Sequence, residues 1–169
     1  MQTQLERPHT PREADERATL LSFLEWQRIT LAQKCAGLDH EQLRRRSASP
    51  STLSLLGLVR HMADVERAWF RRTLAQEDAP PIFYTDADRD GDFDNVDTAD
   101  VDEAFRTWEA ECARAREIVD GHSLEDTGVH RSGEITSLRW ILVHMIEEYS
   151  RHNGHADLLR DRIDGAVGY

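Results

Sequence analysis

The segment Leu142–Arg160 reads LVHMIEEYSRHNGHADLLR and contains three histidines and two glutamates. Its apolar residues recur with helical spacing, which predicts one long helix. We expect this helix to begin near Thr136 or Ser137, either of which can cap a helix, and to end near Ile163, before Gly165.

Three further segments show the same periodicity, so we predict an all-α fold. They run from about Pro11 to Cys35, from Thr52 or Ser54 to about Ala75, and from near Asp100 to Gly121. No segment has the pattern of a β-strand. Four amphipathic helices in 169 residues predict a single domain over residues 1–169, a four-helix bundle with each apolar stripe packed inward. A long acidic loop, about Gln76–Ala99, would join the second and third helices.

Composition narrows the partners and the compartment. The formal net charge of −11 argues against nucleic acid and against anionic membranes, since both are polyanions. The apolar runs are too short to span a bilayer, and residues 1–17 lack the apolar core of a secretory signal. We therefore expect a cytoplasmic protein with residues 1–10 as a flexible N-terminal arm, and with Cys35 and Cys112 reduced and buried.

Metal-binding side chains recur along one face of the last helix. His144, Glu148 and His152 are spaced four residues apart, which places them on one face, with His155 nearby. His144 and His152 lie about 12 Å apart along the axis, too far to share one ion. The spacing therefore leaves two pairs open, His144–Glu148 and Glu148–His152. His61, on the second helix, is the best candidate for a third ligand.

Two imidazoles and one carboxylate suit a divalent transition metal, zinc above all, with nickel, iron or manganese as alternatives. Three protein ligands would leave one position open for water or substrate, as catalytic sites do. The alternative is an ordinary solvated helix face, on which histidine and glutamate also occur at this spacing.

A second motif lies in the acidic loop. Residues Asp86–Asp97, DADRDGDFDNVD, match the calcium-loop pattern of acids at positions one, three, five and twelve with glycine at six. The flank Ala79–Thr85 contains two prolines and cannot form the entering helix. We therefore favour an acidic solvated loop, with calcium binding as the alternative.

The segments Leu20–Arg28, Leu56–Phe70 and Leu138–Gly165 resemble the DinB-like superfamily of four-helix bundles. Within it, they are most similar to the actinobacterial domain-of-unknown-function branch once called mini-circle proteins. The resemblance implies a metal held by His61, Glu148 and His152. A glutamate at position 148 also resembles the mycothiol-dependent maleylpyruvate isomerase.

The same resemblance implies an activity. Related proteins use mycothiol or a similar low-molecular-weight thiol to transfer sulfur to, or to isomerise, a small electrophilic molecule. His144 would then be a catalytic base that lines the pocket, and the chain would form a homodimer. Two alternatives stay open: a non-catalytic, metal-stabilised bundle that binds a ligand or dimerises, and a metal-dependent hydrolase.

Overall fold

A computed structural model describes residues 6–167 and shows a mostly helical chain. The helices are α1 (Glu16–Cys35), α2 (His40–Arg44), α3 (Leu55–Glu66), α4 (Gly91–Asp94), α5 (Val101–Asp120) and α6 (Leu138–Asp164). A π-helical segment, Arg67–Leu74, continues α3 without a break. Two short strands, β1 (Thr127–Val129) and β2 (Ile135–Ser137), precede α6. The first five residues of the expected N-terminal arm lie outside the described residues.

Short polar side chains determine where the long helices begin. Asp15, Ser54, Asp100 and Ser137 each accept a hydrogen bond from a backbone N–H in the first turn of α1, α3, α5 and α6. Such caps satisfy amide groups that have no partner within the helix. The alternatives left open by the sequence, Thr52 for α3 and Thr136 for α6, are therefore not the caps. At its other end, α6 stops at Gly165, whose φ of 76° is left-handed.

The long helices pack in pairs, α1 against α6 and α3 against α5, and α3 also contacts α6. In residues 6–167, none of the helices combines the length and apolar character needed to cross a membrane. The mostly helical prediction is confirmed, and the arrangement of the four long helices as a DinB-type bundle stays a prediction.

One polar network links all four long helices inside the core. Arg28 of α1 donates two hydrogen bonds to the carboxylate of Glu66 on α3, at 2.8 and 2.6 Å. The Tyr149 hydroxyl of α6 donates to Glu66 at 2.8 Å, and the indole N–H of Trp108 on α5 donates to Tyr149 at 2.8 Å. All four side chains are buried. Removing one partner would leave a buried charge or donor unpaired, so each member of the network is costly to replace.

The prediction that no strand occurs was wrong. Strands β1 and β2 pair antiparallel, with Gly128 opposite Thr136. Gly128 lies against the backbone of Thr73 in the π-helical segment, so closely that a Cβ atom at this position would overlap the Thr73 carbonyl. Strands of three residues are too short to give a recognisable alternating pattern, which is why the sequence did not indicate them.

The acidic loop is not simply solvated, as the sequence led us to expect. Asp92 is only 4% exposed and Val96 is fully buried. Phe93 packs over α3, with its ring 3.2 Å from the position that a Cβ of Gly57 would occupy. The short helix α4 therefore returns to the helical body, and this return brings loop residues next to His61.

Candidate functional site

The structure brings His61, Glu148 and His152 together. One ligand-type atom of each residue lies within 4.8 Å of those of the other two, a group that could hold a metal ion. His61 comes from α3 and the other two residues from adjacent turns of α6. The imidazole rings of His61 and His152 are 4.7 Å apart between centroids, and His152 Nε2 lies 3.5 Å from Glu148 Oε2. Of the two pairs that the spacing left open, Glu148 and His152 are the pair that belongs to this group.

Two loop residues orient His61. Its Nδ1 donates to Asp92 Oδ2 at 2.7 Å, which leaves Nε2 as the nitrogen with a free lone pair. The ring of Phe93 stacks on the imidazole, with centroids 4.6 Å apart and an interplanar angle of 29°. Sequence reasoning missed both residues. Their segment matched a calcium-loop pattern, and no local signal shows that position 92 turns inward.

His155 contacts His152 in the way that Asp92 contacts His61, since the Nδ1 atoms of the two histidines lie 3.4 Å apart. Burial is the main cause that lowers the pKa of His155, followed by the nearby His152. A neutral His155 can accept a proton from His152 Nδ1, and in that tautomer His152 Nε2 would present its lone pair on the side of Glu148.

The charge of the cluster also suits a cation. A hydrogen bond from His152 lowers the pKa of Glu148, and the neighbouring His144 adds to this effect, whereas burial opposes it. Glu148 is therefore ionised at neutral pH. An ionised carboxylate and two imidazoles are a donor set that suits a divalent transition metal, which would replace the His152 proton that bonds Glu148.

His144 lies beside this group and not in it. Its Nε2 is 3.3 Å from Glu148 Oε1, and its Nδ1 is 3.2 Å from Glu147 Oε2. Its ring stacks on Trp140, at 4.8 Å between centroids and 19° between planes, and meets Trp69 edge-on at 4.7 Å. His144 therefore contacts the proposed ligand Glu148 on one side and two tryptophans on the other.

The acidic loop forms no second group of this kind. Across residues 6–167, the cluster of His61, Glu148 and His152 is the only set of three or more histidine, cysteine or acidic side chains that meets the same distance condition. Residues 91–94 of the calcium-like motif form α4, which directs Asp92 toward His61.

A comparison with protein families matches residues 19–165 to the family described as mycothiol-S-transferase. A comparison with curated proteins finds no match. The matched range runs from α1 to the end of α6 and includes the whole cluster. The expected DinB-like resemblance is confirmed at the level of the superfamily, and the mini-circle branch stays a prediction. The chain belongs to the mycothiol-S-transferase family, within the DinB-like superfamily.

Proposed function

We propose that this protein is a metal-dependent mycothiol S-transferase, which joins the sulfur of a thiol cofactor to a small electrophilic molecule. The observation that carries the proposal is the cluster of His61, Glu148 and His152 in a chain of the mycothiol-S-transferase family. Zinc is the first choice of ion, with nickel, iron or manganese as alternatives, because these ions accept the same mixed donor set.

The three side chains would hold the ion through His61 Nε2, His152 Nε2 and the Glu148 carboxylate. Such a set leaves a coordination position open, as catalytic sites require. A divalent ion bound there stabilises a thiolate, the nucleophilic form of a thiol, at neutral pH. Asp92 and His155 keep the two imidazoles in the orientation that this role needs.

The reacting thiol must come from outside the chain. Cys35 and Cys112 are both buried and free. Burial raises the pKa of Cys35 to about 12, and burial followed by the charge of Glu66 raises that of Cys112 further. Neither forms an appreciable thiolate at neutral pH. Mycothiol, the thiol in the description of the matched family, would supply the nucleophile.

We assign His144 the role of proton carrier. When a thiol becomes a thiolate its proton must leave, and His144 lies between Glu147 and Glu148, with a carboxylate facing each of its ring nitrogens. The cofactor sulfur then forms a bond to the electrophilic carbon, and the leaving group departs with its bonding electron pair. The homodimer expected from the sequence stays a prediction.

Metal content tests the first step. We expect about one divalent ion per chain in the gently purified protein, and its loss in the double variant Glu148→Ala, His152→Ala. Glu147→Ala is the matched control, because it removes an adjacent carboxylate that lies outside the cluster. A wild type that contains no metal, and whose melting temperature zinc does not raise, would contradict the proposal.

Transfer activity tests the second step. With mycothiol and 1-chloro-2,4-dinitrobenzene as substrates, the wild type should release chloride and form the thioether, detected by mass spectrometry. His144→Ala should lower kcat about 100-fold or more with unchanged metal content, as for loss of a general base. Equal kcat in the variant and the wild type would remove His144 from the mechanism.

A further inference from the structure

A cavity of about 280 Å³ lies on the far side of His144 from the cluster. It is lined by residues of the π-helical segment and, from a part of the chain distant in sequence, by residues of the β-hairpin and the start of α6. They include Trp69, His130, Glu134, Ile135, Thr136 and Trp140. The close contact of Gly128 with the backbone of Thr73 fixes the hairpin beside Trp69.

Aromatic rings form the walls of this cavity. His130 stacks on Trp69, with centroids 5.1 Å apart and planes within 14°. Trp69 and Trp140 lie 5.2 Å apart and are tilted by 50°. Trp140 is 50% exposed and Ile135 is 76% exposed, so a large apolar surface faces solvent at this point. Leaving such surface in water costs free energy, and exposed apolar patches beside a site commonly bind a ligand.

His144 joins the cavity to the cluster. Its ring contacts both Trp69 and Trp140, and its Nε2 approaches Glu148. A molecule seated in the cavity against the tryptophans is therefore separated from the Glu148 carboxylate by the single side chain of His144. The cavity is slightly smaller than the roughly 300–1,000 Å³ usual for whole ligands, so it suits one ring system with the rest of the molecule outside.

From this geometry we infer that the cavity lined by Trp69 and Trp140 binds the planar, apolar part of the electrophilic acceptor. The inference rests on the proposed function for the identity of the ligand. Aromatic walls favour a flat ring through stacking and burial of apolar area. The reactive carbon then lies at the edge of the ring that faces His144, and the cofactor sulfur approaches it from the side of the cluster.

The test uses 1,3-dinitrobenzene, a flat ring that resembles the acceptor but has no halide to lose. We would titrate it into the full-length protein without thiol and measure binding by calorimetry and by quenching of tryptophan fluorescence. Binding should saturate in the wild type and be at least about tenfold weaker in Trp140→Ala, because one stacking wall is lost. Val143→Ala, an exposed apolar residue of α6 outside the cavity lining, should bind like the wild type.

Two results would overturn the inference. One is equal binding in Trp140→Ala and the wild type, or no saturable binding in either. The other is a wild-type dimer that becomes a monomer in Trp140→Ala, with no bound probe, which would make this surface a contact between two copies. Thermal melting checks that each variant is folded, as expected for a half-exposed side chain.

The binding measurement requires neither thiol nor turnover, so it fails independently of the proposed function. Saturable binding without thioether formation would keep the aromatic cavity and reject the transferase activity. Thioether formation without binding of the probe in this cavity would keep the transferase activity and reject the aromatic cavity as the acceptor site.

Discussion

Replacing Asp92 with asparagine tests how the fold holds His61 in the candidate metal centre. Asp92 Oδ2 accepts the Nδ1 proton of His61 at 2.7 Å, and Asp92 is 4% exposed, so water does not replace this bond. Asparagine has nearly the same shape and can still accept a hydrogen bond. The substitution therefore removes the negative charge and preserves the packing.

The size of the effect follows from that loss of charge. A hydrogen bond to a charged group contributes about 1.5–3 kcal/mol, and a neutral one about 0.5–1.5 kcal/mol. The difference, about 1–1.5 kcal/mol, corresponds to a roughly tenfold weaker metal affinity. This lies at the lower end of the 10–100-fold range known for carboxylates that orient a ligating histidine.

A zinc titration in competition with a fluorescent chelator measures the dissociation constant directly. We expect Asp92→Asn to raise it about tenfold, through loss of the charged hydrogen-bond partner of His61. Asp94→Asn is the matched control, because it makes the same change in charge at an exposed position two residues away. Its dissociation constant should match that of the wild type.

Equal affinities in Asp92→Asn and the wild type would refute the orientation argument, since the buried contact would then contribute nothing to binding. Equal losses in Asp92→Asn and Asp94→Asn would attribute the effect to net charge alone. A wild type that binds no zinc would contradict the metal site itself, and with it the proposed role of Asp92 in orienting a ligand.

Three further predictions concern the framework of the fold. Glu66→Ala should lower the free energy of unfolding, measured by urea denaturation, by about 3 kcal/mol. This is the lower end of the range for a broken buried ion pair, because Arg28 keeps its hydrogen bond to Glu25. A loss below about 1 kcal/mol would contradict a stabilising role for the network. Gly128→Ala should displace the β-hairpin from the π-helical segment, seen as faster hydrogen exchange in residues 127–137; unchanged exchange would show that the contact is not needed. Hydrogen bonds from two arginines lower the pKa of Glu77 below its usual 4.5, so its stabilising contribution is complete above pH 4.5 and is lost as pH falls through the lowered value. The stability difference between wild type and Glu77→Gln should therefore narrow on acidification, and a constant difference would contradict this.

The sequence predicted the existence of the four long helices because their signals are local, although it began the first one at about Pro11, whereas α1 begins at Glu16. Apolar periodicity and nearby caps placed α5 and α6 within about two residues of their observed ends. The i,i+4 spacing of Glu148 and His152 was readable for the same reason, since a helix converts that spacing directly into a shared face.

Contacts between distant segments could not be read in this way. Asp92 is one of many acids in its loop, and only the return of α4 onto α3 places it against His61. Arg28 is one of many surface-type residues in α1, and its burial depends on Glu66 from another helix. Neither contact leaves a periodic signal in the chain.

Which of the two pairs, His144–Glu148 or Glu148–His152, lies beside His61 also depends on the tertiary structure. His144 and His152 stand at equal spacing from Glu148, so the sequence determined that one face of α6 carries three side chains of the kinds that bind metals but not which of them lie together. The packing of α3 beside α6 brings His61 to His152, and the hairpin with the π-helical segment surrounds His144 with tryptophans. Local spacing defines a helix face, whereas the neighbours that cover each turn of it depend on how the whole chain packs.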